Sequence, residues 1–301
     1  MTNELTLGPI LFHWPAEQKR DFYFQIADEA PIDTVYIGEV ICSKRSPFFE
    51  PYYEEISERL QNAGKKVVFS SLAEVMIPRE RKMTESMCSL DTYDIEANDS
   101  SALYHLRDTP HRIGPFINVY NENTMTFLAS KGAKHFTLPQ ELPATAISAM
   151  AHHAHKIGAT LEVQVYGRVG LALSARCYHA RSHNRVKDNC QFVCEEDPDG
   201  MQLNTINGTP YLSINGIQTL SYHCMALVNE LDDMRNMGVN IFRLSPHHHD
   251  MVKTSSLYRD VLNKKISPQK AISELKKVGL QVPFSNGFYH GVDGHRWIKT
   301  A

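Results

Sequence analysis

Cys177, Cys190 and Cys194 fall within eighteen residues of a polar stretch. Thiols at that spacing serve more readily as metal or cluster ligands than as packing residues, because an unliganded buried cysteine prefers an apolar run. Three thiolates leave one position open on a tetrahedral ion or a cubane cluster. Cys42 is the candidate to fill it, since it directly follows the apolar run at 34–41. Cys88 and Cys224 read as packed or incidental thiols, the first in a helix or loop and the second in a helix starting near Tyr222. Four thiolates suit zinc and iron–sulfur clusters alike. Structural zinc sites repeat a tight Cys-x2–4-Cys pair, and only one tight pair is present here, which favours a cluster.

Histidines form two runs. His152, His153 and His155 share a helical stretch, where a solvated polar face is the expected reading. His247, His248 and His249 precede Asp250 after the last expected strand, where imidazoles could bind substrate or move protons. His179, Arg181 and His183 add cations beside Cys177. There is no Gly-x-Ser-x-Gly, no Walker-type loop and no His-Glu-x-x-His.

The elements that must bring these residues together alternate in a βα rhythm. Eight short runs read as strands, at 5–12, 34–41, 66–71, 92–96, 113–120, 135–138, 160–165 and 240–244. Helical stretches between them end at Gly64, Gly132, Gly158 and Gly238, each feeding the next strand. Eight such units close into a (β/α)8 TIM-like barrel, and no Gly-x-Gly-x-x-Gly follows the first strand to favour an open dinucleotide-binding sheet. The rhythm breaks between Arg176 and Ser221. Asn207-Gly208 lies there between runs at 201–206 and 211–214, so this is read as an insertion after strand seven carrying a β-hairpin. Residues 1–301 read as one domain. In a barrel, Cys42 and the loop after strand seven emerge at the same carboxyl-terminal face, where the family of folds places its chemistry.

The chain has 301 residues, 31 Lys and Arg against 34 Asp and Glu, and a net charge of -3. No basic block longer than Arg79–Lys82 exists to track a phosphate backbone, so a nucleic-acid partner is not expected. No apolar stretch is long enough to span a bilayer and no leader pattern opens the chain, so the expected location is cytoplasmic, where cysteines stay reduced.

The segment from Glu162 to Cys177 resembles the signature of the collagenase-like peptidase family U32, Glu-x-Phe-x-His-Gly followed by Arg-Cys. Glu162, Gly167, Ser174, Arg176 and Cys177 match in register. Tyr166 stands where the family shows His, and Gly170 where it shows a first cysteine, so the resemblance does not carry peptidase activity intact. The opening Gly8-Pro9-Ile10-Leu11-Phe12-His13-Trp14, the βα order and the four-cysteine pattern make the chain similar to the smaller partner in the family's UbiU–UbiV branch. That resemblance implies that Cys42, Cys177, Cys190 and Cys194 hold a [4Fe–4S] cluster. It also implies a heterodimer with a UbiU-like protein and a role in oxygen-independent (anaerobic) hydroxylation during ubiquinone biosynthesis. A lipid-carrier accessory protein and an isoprenoid quinone precursor are the further partners implied, and a collagenase-like peptidase or an RNA-hydroxylation protein is the alternative. The oxygen donor, the ring position and the catalytic subunit stay open.

Overall fold

The computed structural model describes residues 3–299. Strands β1 (Glu4–Leu7), β2 (Thr34–Ile37), β3 (Lys66–Ser70), β4 (Asp94–Ala97), β5 (His111–Ile113), β6 (Ala133–Thr137) and β7 (Thr160–Leu173) pair in chain order, all parallel. β7 then runs on beyond the ring into the insertion. There β8 (Met201–Asn204), β9 (Pro210–Asn215) and β10 (Gln218–Ala226) build an antiparallel extension on its outer arm. β11 (Ile241–Leu244) pairs in parallel with both β7 and β1 and closes the ring, while the short β12 (Phe284–Ser285) pairs β10 outside it.

The outer layer is α1 (Ala16–Glu29), α2 (Ser46–Phe49), α3 (Tyr53–Asn62), α4 (Pro78–Cys88), α5 (Ser100–His105), α6 (Glu122–Ala129) and α7 (Ala144–Lys156). α8 (Tyr178–Ser182) lies in the insertion, and α9 (Leu231–Asn236), α10 (Met251–Leu262) and α11 (Pro268–Val278) complete the chain. This is the expected (β/α)8 barrel. Each of the eight expected runs overlaps one ring strand, and the four glycines expected to end helices all take positive φ.

Two expectations need correction. Cys224 is not in a helix but on β10, because the outer arm of β7 offers an unpaired edge that Gln218–Ala226 fills. The fifth strand starts at His111 and ends at Ile113. Pro115 has no N–H to donate to a ladder, and the chain turns away through a 3₁₀ turn to left-handed Asn118. The expected hairpin is present as β8 and β9, with Gly208 at positive φ in its turn.

Strand alternation separates two environments. Leu5, Leu7, Val35, Ile37, Phe69, Ile95, Ile113, Phe136, Val163, Phe242 and Leu244 join the hydrophobic cluster with the helices. Their neighbours Thr6, Tyr36, Ser70, Glu96, Arg112, His135, Thr137, Glu162 and Arg243 are also buried, and they bond to one another.

Gly167 marks the point where β7 leaves the ring. Its φ is +115°, and a Cβ there would lie 2.6 Å from the Ser245 side chain. Gly167→Ala is therefore expected to destabilise by roughly 2–4 kcal/mol, from left-handed strain plus overpacking. Gly158→Ala, at φ +69° with open space around it, should cost only about 1 kcal/mol. Urea unfolding midpoints of the two variants check the contrast.

Candidate functional site

The four singled-out cysteines line one small cavity at the carboxyl-terminal face, together with Lys44, Arg45, Phe192 and Ile217. All four are free thiols. Cys42 comes from the loop after β2. Cys177 precedes α8, where its sulfur accepts the Ala180 N–H at 3.4 Å. Cys190 and Cys194 flank a turn in which Gln191 and Phe192 are both left-handed, at φ 50° and 51°. Non-glycine residues pay about 1–2 kcal/mol each for that conformation. The Phe192 ring holds the turn against Phe48 and His13, with centroids 4.8 and 5.5 Å away. Among the described residues no group of three or more His, Cys, Asp or Glu is arranged so as to hold a metal ion.

Three loops are tied together around this cavity. Glu39 accepts the backbone N–H groups of Ile41 and Cys42 at 3.1 and 3.0 Å, which shapes the Cys42 loop. Lys44 donates to the carbonyls of Lys187 and Asp188, stitching that loop to the segment before Cys190. Arg45 is buried and donates to Leu11 O at 2.9 Å and Asn215 Oδ1 at 3.0 Å, joining the N-terminal loop to the insertion. Its Nε, also buried, has no partner.

Burial pushes the thiols of Cys42, Cys177 and Cys194 above their ordinary value, with Arg45 pulling each the other way. Burial alone would lower Arg45, but Cys194, Glu39 and Cys42 more than offset it, and its guanidinium is held above its usual range. The donor chemistry fits a negatively charged thiolate centre. Four sulfurs line the cavity with no carboxylate among them, and the buried cation Arg45, its Nε unpartnered, lines it too. Ligation would deprotonate the thiols, so binding would release protons.

The barrel axis holds a second polar assembly that sequence reasoning did not single out. Arg243 Nη2 lies 2.6 Å from both Glu96 Oε1 and Glu162 Oε2, and its guanidinium stacks on Tyr36 at 3.9 Å. Glu162 also accepts from Thr6, from Tyr36 at 3.0 Å and from Thr137 at 2.8 Å, and meets His135 Nε2 at 2.9 Å. Burial opposes the charge on Glu162, yet Arg243 and His135 hold its carboxyl well below the usual range. Toward the carboxyl-terminal mouth the network meets a pocket of ≈ 20 Å³ lined by Asn98, Gln140 and Gln164. That is about the space one water needs. Asn98 Oδ1 and Arg243 Nε are buried there without partners.

His179 lines the cysteine cavity and is paired with Asp197 at 2.9 Å, and His248 is exposed, whereas His247, His249 and Cys224 serve the fold. His247 Nε2 accepts the Arg168 N–H at 3.1 Å, so Nδ1 is the protonated nitrogen that donates to Asp199 at 3.0 Å. Burial also keeps this imidazole neutral, and neither nitrogen is left for a substrate. The Tyr166 hydroxyl lies 2.9 Å from His249 Nε2, inside the core. Cys224 is fully buried and its thiol is pushed up to about 12, while burial moves Cys88 to about 11. His152, His153 and His155 lie on α7 as expected, away from the cysteines in the fold. No helix among the described residues is long and apolar enough to cross a membrane.

The model of peptidase family U32 matches residues 21–299. Among solved structures, an uncharacterised B. cereus protein is similar at 10% identity and a TM-score of 0.42, over 87% of this chain and 65% of that one. This chain therefore spans just under two thirds of that protein's length. The phospho-2-dehydro-3-deoxyheptonate aldolase of Thermotoga maritima is similar at 11% identity and a TM-score of 0.37, over 94% of this chain and 72% of that one.

Arg243→Met leaves Glu96 and Glu162 buried without their cation and is expected to destabilise by roughly 3–5 kcal/mol. The depressed Glu162 carboxyl contributes stability that is fully present above its ordinary value of 4.5 and is lost as pH falls through the lower folded value. Urea unfolding between pH 3 and pH 6 should therefore show a shallower acid loss for Glu162→Gln than for the parent chain. Equal slopes would mean that this carboxyl is not depressed.

Proposed function

This chain belongs to peptidase family U32, and we propose that it is the iron–sulfur subunit of an oxygen-independent hydroxylase of ubiquinone biosynthesis. It would work as a heterodimer with a UbiU-like protein. The observation that carries the iron–sulfur part is the sharing of one cavity by Cys42, Cys177, Cys190 and Cys194, from loops far apart in the chain. The ubiquinone pathway, the UbiU-like partner, a lipid-carrier accessory protein, an isoprenoid quinone precursor and a cytoplasmic location rest on the sequence resemblance.

A [4Fe–4S] cluster bound there would supply one-electron transfer, at a potential set by burial and by hydrogen bonds to its sulfurs. The protein's own residues do the rest. The four thiolates would hold the group, and their negative charge would be offset by Arg45, which lines the same cavity and whose Nε has no other partner. Phe192, Val193 and Ile217 exclude water from the cavity wall, and Lys44 and Glu39 keep the ligand loops in register. The peptidase chemistry in the family's name finds no support at the signature. Tyr166 is buried against His249, and the Cys224 thiol is neutral at ordinary pH.

Protein purified without air is expected to be brown and to carry about four iron and four acid-labile sulfide per chain. Alanine at Cys42, Cys177, Cys190 or Cys194 should remove most of the iron and the visible absorption, and Cys88→Ala should not. Colourless protein holding zinc, or cleavage of a protein substrate by iron-free chain, would overturn the reading. In cells growing without oxygen, deleting the gene should deplete ubiquinone, and an unchanged level would end the pathway assignment.

A further inference from the structure

On the other side of the Cys42 loop lies a cavity of ≈ 450 Å³. α3 leans on α1 and α4 leans on α5, and the gap between α3 and α4 opens over the end of β3. Tyr53, Phe69, Leu72, Met83, Met87 and Leu90 give it an apolar lining of ligand size. Phe69 is set edge-on to Tyr53 and Tyr93, with centroids at 5.6 and 4.9 Å, so the floor is rigid and aromatic. The two methionines adapt their shape to whatever fills the space.

Two polar features of this cavity have no internal explanation. Thr84 is only 3% exposed and lines the cavity, and its hydroxyl has no hydrogen-bond partner, although a helical threonine commonly bonds a carbonyl one turn back. Arg79 and Lys82 line the same space, and among the described residues neither has a carboxylate within ion-pair distance. The one bond of Arg79 is to Ser43 Oγ at 3.3 Å. The acids nearby do not answer them. Glu80 is committed to Ser43 and to the N–H groups of Met76 and Ile77, and Glu39 to the Cys42 loop with Lys19 and Arg45. Glu39 also lines the cavity but is answered by Lys19 and Arg45 from outside it, so Arg79 and Lys82 face only the exposed carboxylate of Glu50 among the charges left uncommitted.

We propose that this cavity binds a small amphipathic anion. Its apolar ring or short chain rests on Phe69, Met83 and Met87, an oxygen meets the Thr84 hydroxyl, and its anionic group faces Arg79 and Lys82. The site is separate from the thiol cavity, which is lined from the opposite side of the 38–46 loop by Cys42, Lys44 and Arg45.

The probe is 1-anilinonaphthalene-8-sulfonate, titrated by fluorescence against the full chain, iron-loaded and iron-depleted, with iron measured in the same samples. Saturable binding of one probe per chain is expected in both forms, so this site and the iron reading can each fail alone. Met83→Trp, which fills the cavity, should weaken binding about tenfold or more. Arg79→Gln should weaken it about threefold and flatten its salt dependence. Thr84→Val keeps the side-chain shape and removes an unpartnered hydroxyl, so it should fold at least as well as the parent chain and bind about threefold more weakly. The uncharged analogue N-phenyl-1-naphthylamine should not respond to Arg79→Gln. Absence of saturable binding would overturn the proposal, and so would binding that none of the three variants changes.

Discussion

A guanidinium at the centre of the barrel sets the terms for the whole molecule. Arg243 reaches Glu96 on β4 and Glu162 on β7 from β11, so three strands spread around the ring are joined by one charged group. TIM barrels commonly fill their interior with layers of branched aliphatic side chains. Here the inward positions are mostly polar, and the aliphatic residues face the helices instead. Buried charges are tolerated when paired and hydrogen-bonded, and each partner here has several bonds, with Arg243 Nε the one donor left over at the mouth. Such a core gives a weak net gain in stability but is demanding in geometry, since a strand that slipped by one residue would turn its charges into the apolar layer.

That rigidity is passed upward to the loops. β2, β7 and β11 end at the same face, and the loops that follow them are pinned by buried polar contacts rather than by packing alone. Asp199 of the insertion receives His247 Nδ1 and the His248 N–H, while His247 in turn accepts from the backbone of β7. Trp14 donates to Pro198 O at 2.7 Å from the opposite side. The insertion is therefore clamped between the N-terminal loop and the loop after β11, and Cys177, Cys190 and Cys194 travel with it. Cys42 is held separately by Glu39, on a loop that Arg45 and Lys44 fasten to the same insertion.

Much of this was legible in the residues, and the parts that were not have physical reasons. The βα rhythm and the glycine-ended helices predict the barrel because both follow from local conformational preference. The hairpin follows from Asn207-Gly208 for the same reason. Cys224 was misplaced because the edge that recruits Ser221–Ala226 belongs to β7, some fifty residues away, and no local pattern announces it. The interior network was missed for a different reason. Glu96, Arg112, Glu162 and Arg243 lie on four different strands, and only ring closure brings their side chains into one network. The histidines after β11 read as candidates for substrate binding or proton transfer; the burial of His247 depends on Asp199, from an insertion whose path the local sequence does not encode.

The electrostatics around Arg45 give the cysteine cavity a direction. With protonated thiols beside it, this cation is nearly fully buried, has Glu39 no closer than 4.0 Å and keeps an N–H without an acceptor. Burying a charge under those conditions is costly. The thiols pay as well, since burial raises those of Cys42, Cys177 and Cys194 and so resists the charged form that a ligand needs. Each penalty is the remedy for the other. Thiolates around the cavity would complete the environment of Arg45, and Arg45 would stabilise the thiolates, so each offsets part of the other's burial cost when the protons leave. An arrangement that is costly with neutral thiols and eased by negative charge is one that the proposed cluster would draw on.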